Sequence, residues 1–267
     1  MKPQTDKVSS LDLYNKGLGS VPDSVWQSTE LEWLNLSENG LRSVSSKIGG
    51  LVHLTMLDLG HNRLSSLPES LGNLTQLKFL YLSNNKLRAV PASLWKLKSL
   101  VYLNITDNQL TSLPNDIGQL SNLIELRLYN NQMNSLPDAI GELTTLRELH
   151  VMGNRLASLP PSIGKLKNLR KLMLEGNQIE TLPDSLGSLK KLTDLDLRNN
   201  RLRYVPASIG KLTSLRFLDL RANQLTQLPA GIAKLQNLEK LDLRWNKALS
   251  IPKWLTRLEE WGCIVYT

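Results

Sequence analysis

Leucines and other apolar residues recur along this chain in a fixed pattern of 23 positions. The segment from Leu51 to Asn73 shows the pattern clearly, with apolar residues at Leu51, Leu54, Leu57, Leu59, Leu64, Leu67 and Leu71. Around Leu57 and Leu59 they alternate with polar or small residues, as in a strand with one buried face. Pro68 then opens a segment of small and acidic residues that suits one or two helical turns, of α or 3₁₀ type. Each repeat is therefore predicted to contain a short strand, a turn, a short helical turn and a return loop.

An asparagine recurs at the same interval, where each predicted strand ends. Its positions are Asn39, Asn62, Asn85, Asn108, Asn131, Asn154, Asn177, Asn200, Asn223 and Asn246. A fixed period of 20 to 30 residues indicates stacked supersecondary units, because one such unit cannot bury its apolar face alone. A buried asparagine offers two N–H donors and an acceptor carbonyl. We therefore expect each one to bond the turn of its own repeat and that of the next, as a ladder along the stack.

The segment from Leu113 to Leu120 reads LPNDIGQL, and it is followed by Leu123, Leu126, Leu128 and Asn131. This pattern resembles the leucine-rich repeat proteins of the 23-residue LPxxIGxL class, which includes intracellular Ras-group-related and bacterial members. The resemblance covers almost the whole chain. It implies an α/β repeat solenoid, a horseshoe with a parallel sheet on its concave face and short helical or 3₁₀ turns on its convex face. It also implies a scaffold that binds other proteins through its variable positions.

The repeat register predicts one leucine-rich-repeat domain over residues 1–267. Residues 1–22 form a degenerate first repeat, in which Lys16 stands where asparagine is expected and Val8 stays in phase. Residues 252–267 form a C-terminal capping segment. There, helical spacing predicts a helix that closes the core, followed by a twelfth strand near Cys263 to Tyr266; the spaced residues are Trp254, Leu255, Leu258 and Trp261.

Residues six, four and two positions before each asparagine are predicted to project from the open face of the sheet. In the early repeats they include large apolar side chains, namely Trp33, Met56, Phe79, Tyr81 and Tyr102. The chain has only 14 aromatic residues, so this face holds a marked share of them. Aromatic residues and Met are enriched in binding hot spots, which favours a protein-binding surface. The alternative is that these side chains pack against one another and stiffen the sheet.

Later repeats carry charges at the same positions. The tripeptide Asp196-Leu197-Arg198 recurs as Asp219-Leu220-Arg221 and Asp242-Leu243-Arg244. Both charged side chains of each tripeptide are expected to point away from the core, with the leucine buried between them. They form either a self-neutralised lattice or a polar strip that docks a partner. Because the arginine fork binds carboxylates in a bidentate manner, the predicted protein contacts are Arg127, Arg198, Arg221 and Arg244.

The net charge of +8 lies in one stretch of the chain. Residues 151–240 carry 15 Lys and Arg against seven Asp and Glu, which leaves the remainder neutral. The predicted return loops and helical turns hold a basic flank made of Lys165, Lys167, Arg170, Lys190, Lys191, Lys211, Arg216 and Lys234. This flank is either a solvated face or a site for an acidic partner. The alternative function is therefore a targeting module, or a bacterial effector, that recruits an enzyme or docks on an acidic surface. Nucleic acid is not expected, since aromatics for base stacking are missing from the flank.

No motif for catalysis is present, since the sequence lacks a glycine-rich phosphate loop, HExxH and GxSxG. We predict a non-enzymatic protein without cofactors. Glu125, Glu148 and His150 fall on neighbouring strands and resemble metal ligands, but Arg127 and Lys171 among them favour charge pairing, so no metal is predicted. A single cysteine, Cys263, favours a reducing, cytoplasmic setting, with delivery into a host as the alternative. The expected state is a monomer or small oligomer without membrane insertion, bound to a protein of unknown identity.

Overall fold

The structure, a computed structural model, describes residues 9–267 of the chain. Val8, which the repeat register places in the first repeat, lies outside this range. The chain divides into two compact units. The N-terminal unit comprises the residues up to Leu110 together with Gln119–Leu123, and the C-terminal unit comprises Thr111–Gly118 and Ile124–Thr267.

In residues 9–267, twelve strands of three residues each carry the repeat pattern. The N-terminal unit contains β1 (Ser10–Asp12), β2 (Trp33–Asn35), β3 (Met56–Asp58), β4 (Phe79–Tyr81) and β5 (Tyr102–Asn104). The C-terminal unit contains β6 (Glu125–Arg127), β7 (Glu148–His150), β8 (Lys171–Met173), β9 (Asp194–Asp196), β10 (Phe217–Asp219), β11 (Lys240–Asp242) and β12 (Ile264–Tyr266). Within each unit the strands pair in parallel and in chain order. Equivalent residues of neighbouring repeats therefore lie side by side, as Leu34, Leu57 and Leu80 do.

The helical turns of the repeats are 3₁₀ segments. Within residues 9–267 they are Ser46–Gly50, Glu69–Asn73, Ala92–Lys96, Asn115–Gln119, Asp138–Glu142, Pro161–Lys165, Asp184–Ser188, Ala207–Lys211 and Ala230–Lys234. Proline precedes most of them with an extended backbone, as at Pro68 (φ −73°, ψ 146°). The glycine in these turns lets neighbouring repeats approach closely, because a Cβ on Gly164 would lie 2.5 Å from the carbonyl oxygen of Ser185.

The described part of the chain also contains two short α-helices, α1 (Asp23–Gln27) and α2 (Leu255–Glu260). The predicted capping segment contains α2 and β12, and it buries Leu255 and Leu258 while Trp261 stays exposed. The division of residues 1–267 into one domain with a first repeat and a cap stays a prediction. No helix of the described chain is long and apolar enough to cross a membrane.

The leucines of the repeat pattern form the core. Leu57, Leu59 and Leu64 have no exposed surface, and the apolar residues at equivalent positions of later repeats, up to Leu243, are at most 2% exposed. Each leucine packs against those of the neighbouring repeats, so the core of each unit is continuous from one repeat to the next. The parallel strands and 3₁₀ turns establish the leucine-rich-repeat solenoid predicted from the sequence.

The asparagine ladder forms, but it points opposite to the expected direction. Asn177 donates to the carbonyls of Leu174 and Glu175 in its own repeat and to that of Val151 in the preceding repeat. Its Oδ1 accepts from the N–H of Leu156, again in the preceding repeat. The expectation that the side chain bonds the next repeat is therefore wrong. The backbone N–H of Gly176 donates forward, to the carbonyl of Arg198 in the next repeat, so the Asn177 side chain bonds carbonyl and N–H groups that remain on the preceding side.

Candidate functional site

The predicted aromatic surface lies on the sheet of the N-terminal unit, where strand register brings four large apolar side chains into one row. Trp33, Met56, Phe79 and Tyr102 pair in sequence across β2 to β5. Phe79 is 39% exposed and the other three are half-buried. The central leucine of each strand is buried on the opposite face, because side chains alternate along a strand. The row is thus continuous over four strands and open to solvent.

Tyr81 joins this row from the other exposed position of β4. Its ring centroid lies 4.9 Å from that of Tyr102, with the planes tilted by 39°. Contacts of this kind hold aromatic rings in place and add to the stability of the sheet. The two roles considered for these residues therefore do not exclude each other, since rings fixed by their neighbours also lose less entropy when a partner binds.

The C-terminal unit begins with a cluster of charges on β6 to β8. His150 Nε2 lies 3.1 Å from Glu148 Oε2 and 4.0 Å from Glu125 Oε1. Arg127 pairs with Glu125, and Lys171 Nζ lies 3.1 Å from Glu148 Oε1. Burial opposes ionisation of Glu148, but hydrogen bonds from His150 and Lys171 and the charges of both outweigh it and lower its pKa.

The potential ligand atoms of Glu125, Glu148 and His150 all lie within 4.8 Å of one another. Two of the three groups would have to give up a cationic partner before they could hold a metal ion. Arg127 is ion-paired with Glu125, and Lys171 is ion-paired with Glu148. Charge pairing therefore explains why these side chains cluster, as the sequence predicted.

The repeated Asp-Leu-Arg tripeptides differ from the expectation in the position of their aspartates. Asp242 is fully buried and Asp196 is 7% exposed, whereas both were expected to point to solvent. The reason is that each aspartate caps the turn after its strand. Oδ1 of Asp196, Asp219 and Asp242 accepts the N–H of the arginine two residues later. This local bond draws the carboxylate beneath the arginine side chain.

Arg221 and Arg244 are bound by these aspartates, of which Asp242 is buried and Asp219 is half-buried. Arg244 donates from Nε and Nη2 to the two oxygens of Asp242, at 2.9 and 2.7 Å. Arg221 binds Asp219 in the same way and also lies 3.4 Å from Asp242. The predicted contact residues of this strip are therefore engaged within the protein, and Arg221 has only 18% of its side chain exposed.

Arg198 forms its hydrogen bond with Glu175 instead of with the side chain of Asp196, and this affects the pKa of Asp196. Its Nη2 donates to Glu175 at 2.6 Å, while its Nε lies 3.2 Å from Asp196 without forming a hydrogen bond. Burial consequently raises the pKa of Asp196 to about 6. Burial also opposes ionisation of Asp242, but hydrogen bonds from Arg244 and the charges of Arg221 and Arg244 lower its pKa.

A recess of about 190 Å³ opens on the same sheet over β8 to β11. Its walls combine apolar side chains, Met173 and Phe217, with the carboxylates described above and with Lys240. Phe217 is 37% exposed and lies under the guanidinium of Arg216, 5.2 Å from its ring centroid. A shallow recess with both apolar and charged walls suits a side chain of a partner better than a free small molecule, which needs deeper enclosure.

Trp245 is the most exposed aromatic residue of this unit, and the sequence analysis did not identify it. Its side chain is 66% exposed, and its backbone has φ +64°. Trp245 lies one residue before the ladder asparagine, outside the positions that the strand period selects. The signal for it was available, since the equivalent position elsewhere holds mainly Asn, Asp or Gly.

The basic flank is partly occupied by internal contacts. Lys167 donates to the carbonyl of Gly164, Lys190 to that of Lys211, and Lys191 to Oδ1 of Asn168. Arg216 forms two hydrogen bonds with Glu239, at 2.7 and 3.0 Å. Each of these basic side chains bonds a different carbonyl, amide or carboxylate oxygen. The positive charges of the flank are therefore not concentrated at one point.

Cys263 is buried at the C-terminal end of the core, and burial raises the pKa of its thiol to about 11. The thiolate, which is the reactive form, is therefore scarce at neutral pH. Cys263 is therefore a poor nucleophile in the folded protein.

The chain belongs to the leucine-rich repeat family. A model described as a leucine-rich repeat region matches residues 11–100 and 69–158, which together span more than half of the chain. Two further leucine-rich repeat models match residues 144–202 and 190–231. A search of curated proteins finds no match.

Solved structures of leucine-rich repeat proteins are similar to this chain. One is a leucine-rich repeat protein of Leptospira interrogans, at 26% identity and a TM-score of 0.69, with 96% of this chain and 95% of that chain covered. An internalin of Listeria monocytogenes shares the fold at 23% identity and a TM-score of 0.69, with 97% and 86% covered.

A third similar structure is the ectodomain of the Arabidopsis thaliana receptor kinase GASSHO1/SCHENGEN3, in complex with Casparian strip integrity factor 2. It matches at 28% identity and a TM-score of 0.68, over 89% of this chain and 36% of that chain. This chain therefore spans about a third of the receptor ectodomain. The family and the fold are those of protein-interaction modules, which typically have no enzymatic activity.

Proposed function

We propose that this protein is a non-enzymatic protein–protein interaction scaffold that binds its partner on the exposed face of its sheet. The observation that carries the proposal is the row of Trp33, Met56, Phe79 and Tyr102, which the strand register makes continuous across β2 to β5. Exposed aromatic side chains in such a row provide the large, rigid contact area that dominates protein interfaces.

The stability of the fold accounts for only part of this row, through the contact of Tyr102 with Tyr81. Leu80 and Leu103, between the aromatic positions, are fully buried and hold β4 and β5 to the core. Phe79 exposes 39% of its surface, and covering it with a partner would contribute hydrophobic free energy that folding has not used. A preformed sheet also binds at a lower entropic cost than a flexible loop.

The charged strip of the C-terminal unit contributes selectivity in this proposal. Arg198 and Arg244 keep about a third of their side chains exposed while buried or half-buried carboxylates fix their orientation. Oriented charges favour partners of complementary charge and suppress others. The receptor ectodomain similar to this chain was solved with a bound factor, which supports binding of a protein or peptide.

The alternative of a targeting module or effector acting through the basic flank receives less support. Lys167, Lys190, Lys191 and Arg216 already contact carbonyl, amide or carboxylate oxygens of the protein. We also propose a reducing, cytoplasmic setting, because the single cysteine, Cys263, is buried as a free thiol.

Affinity capture with matched variants tests the proposed function. Wild-type protein, a Phe79→Ala/Tyr102→Ala variant and a Lys190→Ala/Lys191→Ala variant are immobilised, exposed to an extract of the source organism and analysed by quantitative mass spectrometry. We expect a protein that is retained by the wild type and by the lysine variant but is lost from the aromatic variant. A partner that is lost only from the lysine variant would instead support the basic flank.

A further inference from the structure

The residue before each ladder asparagine has a left-handed backbone, and so has Asn15, which precedes Lys16 at the matching position of the first repeat. The φ angle lies between +51° and +67° at Asn15, Glu38, His61, Asn84, Asp107, Asn130, Gly153, Gly176, Asn199, Ala222 and Trp245. Glycine adopts this conformation without strain, and asparagine and aspartate tolerate it. Most of these residues follow that rule. Trp245 departs from it most strongly, because a bulky aromatic residue in this region is a genuine outlier.

Packing does not explain the tryptophan. Its side chain is 66% exposed, while Leu243 and Asn246 on either side are buried and carry the core and ladder contacts of the repeat. The backbone of Trp245 is therefore strained, although its indole ring lies mostly in solvent. Strain that folding does not require marks candidate functional positions.

The groups around Trp245 form an ordered cluster. The guanidinium of Arg244 lies 4.8 Å from the ring centroid of Tyr266 and 5.7 Å from that of Trp245. The guanidinium of Arg221 lies 5.9 Å from the Trp245 ring on the side of the preceding repeat. Such cation–π contacts orient both the rings and the cations.

Arg244 keeps a free edge within this cluster. A guanidinium has five N–H donors, and the bidentate pair with Asp242 uses two of them. Asp242 is fully buried, whereas 38% of the Arg244 side chain is exposed. The carboxylate therefore lies below and fixes the arginine, and the remaining N–H groups are left for a ligand from solvent.

The outer layer of the cluster is cationic and aromatic. Lys240 lies 5.2 Å from the Tyr266 ring, which adds a second cation beside Arg244. The aspartates that balance these charges lie beneath them, with Asp242 at 0% and Asp219 at 21% side-chain exposure. Charge complementarity at this surface therefore favours a carboxylate, and the exposed indole favours an apolar group next to it.

We propose that Trp245, Arg244 and Tyr266 form an anchor site for an acidic segment of a partner protein. A carboxylate of that segment accepts hydrogen bonds from the free edge of Arg244, and a neighbouring apolar side chain packs on Trp245. The inference rests on the proposed function and deepens it, because it assigns a second contact site and the chemistry of the segment that occupies it.

A peptide-display experiment tests this site on the full chain. A library of random peptides on phage is selected on wild-type protein and, in parallel, on a Trp245→Asn variant. Asparagine is the residue that Asn84, Asn130 and Asn199 provide at the same backbone position. We expect peptides that depend on Trp245, that carry Asp or Glu beside an apolar residue, and that bind the variant at least tenfold more weakly when synthesised.

The thermal melt of the same variant separates binding from stability. Because asparagine relieves the strain, we expect the Trp245→Asn protein to melt at the same temperature as the wild type or higher. A lower melting temperature would show that the tryptophan stabilises the fold, and would overturn the proposal.

Three other outcomes would overturn it as well. One is a selection without Trp245-dependent peptides, and another is a set of such peptides without acidic residues. The third is self-association that the Trp245→Asn substitution abolishes, because the occupant would then be a second copy of the chain. Peptides that ignore Trp245 but are lost on Phe79→Ala/Tyr102→Ala protein would leave the proposed function intact. If selected peptides bind both variants like wild type, the proposed function fails too.

Discussion

Replacing Asn177 with alanine tests the asparagine ladder, because the matched residue Asn168 offers a control in the same repeat region. Asn177 is buried and makes four hydrogen bonds, three as a donor and one as an acceptor. Asn168 is half-buried and makes two bonds: its amide N–H donates to the carbonyl of Thr144 across the same junction of repeats, at 2.9 Å, and its Oδ1 accepts from Lys191 at 2.8 Å. Both substitutions remove the same amide, so the difference between them reports the deeper burial and the two additional hydrogen bonds of Asn177.

The magnitude follows from the groups left without partners. Removal of the Asn177 amide strands the buried N–H of Leu156, which has no other acceptor among the described contacts. One buried donor without a partner costs about 1 to 3 kcal/mol. The carbonyls of Val151 and Leu174 also lose a donor, which brings the expected loss in the free energy of unfolding to roughly 3 to 5 kcal/mol. For Asn168→Ala we expect a loss below about 1 kcal/mol, because water reaches this surface and replaces both bonds.

Urea denaturation followed by circular dichroism measures both losses, and hydrogen exchange locates them. Repeat stacks lose stability mainly where neighbouring repeats meet. We therefore expect faster exchange at Leu156 and at the flanking turns in Asn177→Ala protein, and little change in the control. Equal losses in the two variants, or a loss below about 1 kcal/mol for Asn177→Ala, would refute the reasoning.

Three further predictions concern single side chains. The pKa of Asp196 is raised from 3.8 to about 6, so its protonated form stabilises the folded state below pH 4. This contribution, at most about 3 kcal/mol, is lost as pH rises through 6. The urea midpoint of the wild type should therefore fall from pH 4 to pH 7, and that of Asp196→Asn should lose this fall. Arg221→Glu should lower stability by about 3 kcal/mol or more, since it places a third carboxylate against Asp219 and Asp242, and a melt that matches wild type would contradict the described pairing. Cys263, with its pKa raised to about 11, should react with a disulfide reagent at pH 8 only after unfolding, so rapid reaction of the native protein would show that the thiol is not buried.

Sequence periodicity was sufficient to predict the strands, the turns and the buried leucines, because these follow from local spacing of 23 residues. The same spacing predicted which side chains share a row, such as Trp33, Met56, Phe79 and Tyr102, since parallel strands in register align equivalent positions. The row to which a side chain belongs does not determine how much of its surface is buried. Depth depends on local hydrogen bonds, and the bond from Arg244 N–H to Asp242 is one of these.

Two features of the site depend on details that periodicity does not contain. The direction of the asparagine ladder depends on which backbone groups of the turn are not already bonded to the next repeat. Only the three-dimensional structure shows which groups these are. Strand spacing does not select Trp245, because this residue follows the strand and is distinguished by its positive φ. Comparison of that one position across all repeats would have shown the departure from asparagine and glycine.

The measurement that tests the central claim most directly is calorimetric titration of a purified partner, once captured, into wild type and three variants. The Phe79→Ala/Tyr102→Ala protein should melt close to wild type, because Leu80 and Leu103 remain in the core, and it should bind the partner weaker by about 2 kcal/mol or more. The Lys190→Ala/Lys191→Ala control should bind like wild type, and Trp245→Asn should fall between the two. If the aromatic variant keeps full affinity, or loses affinity only in proportion to unfolded protein, the sheet face is not the binding surface.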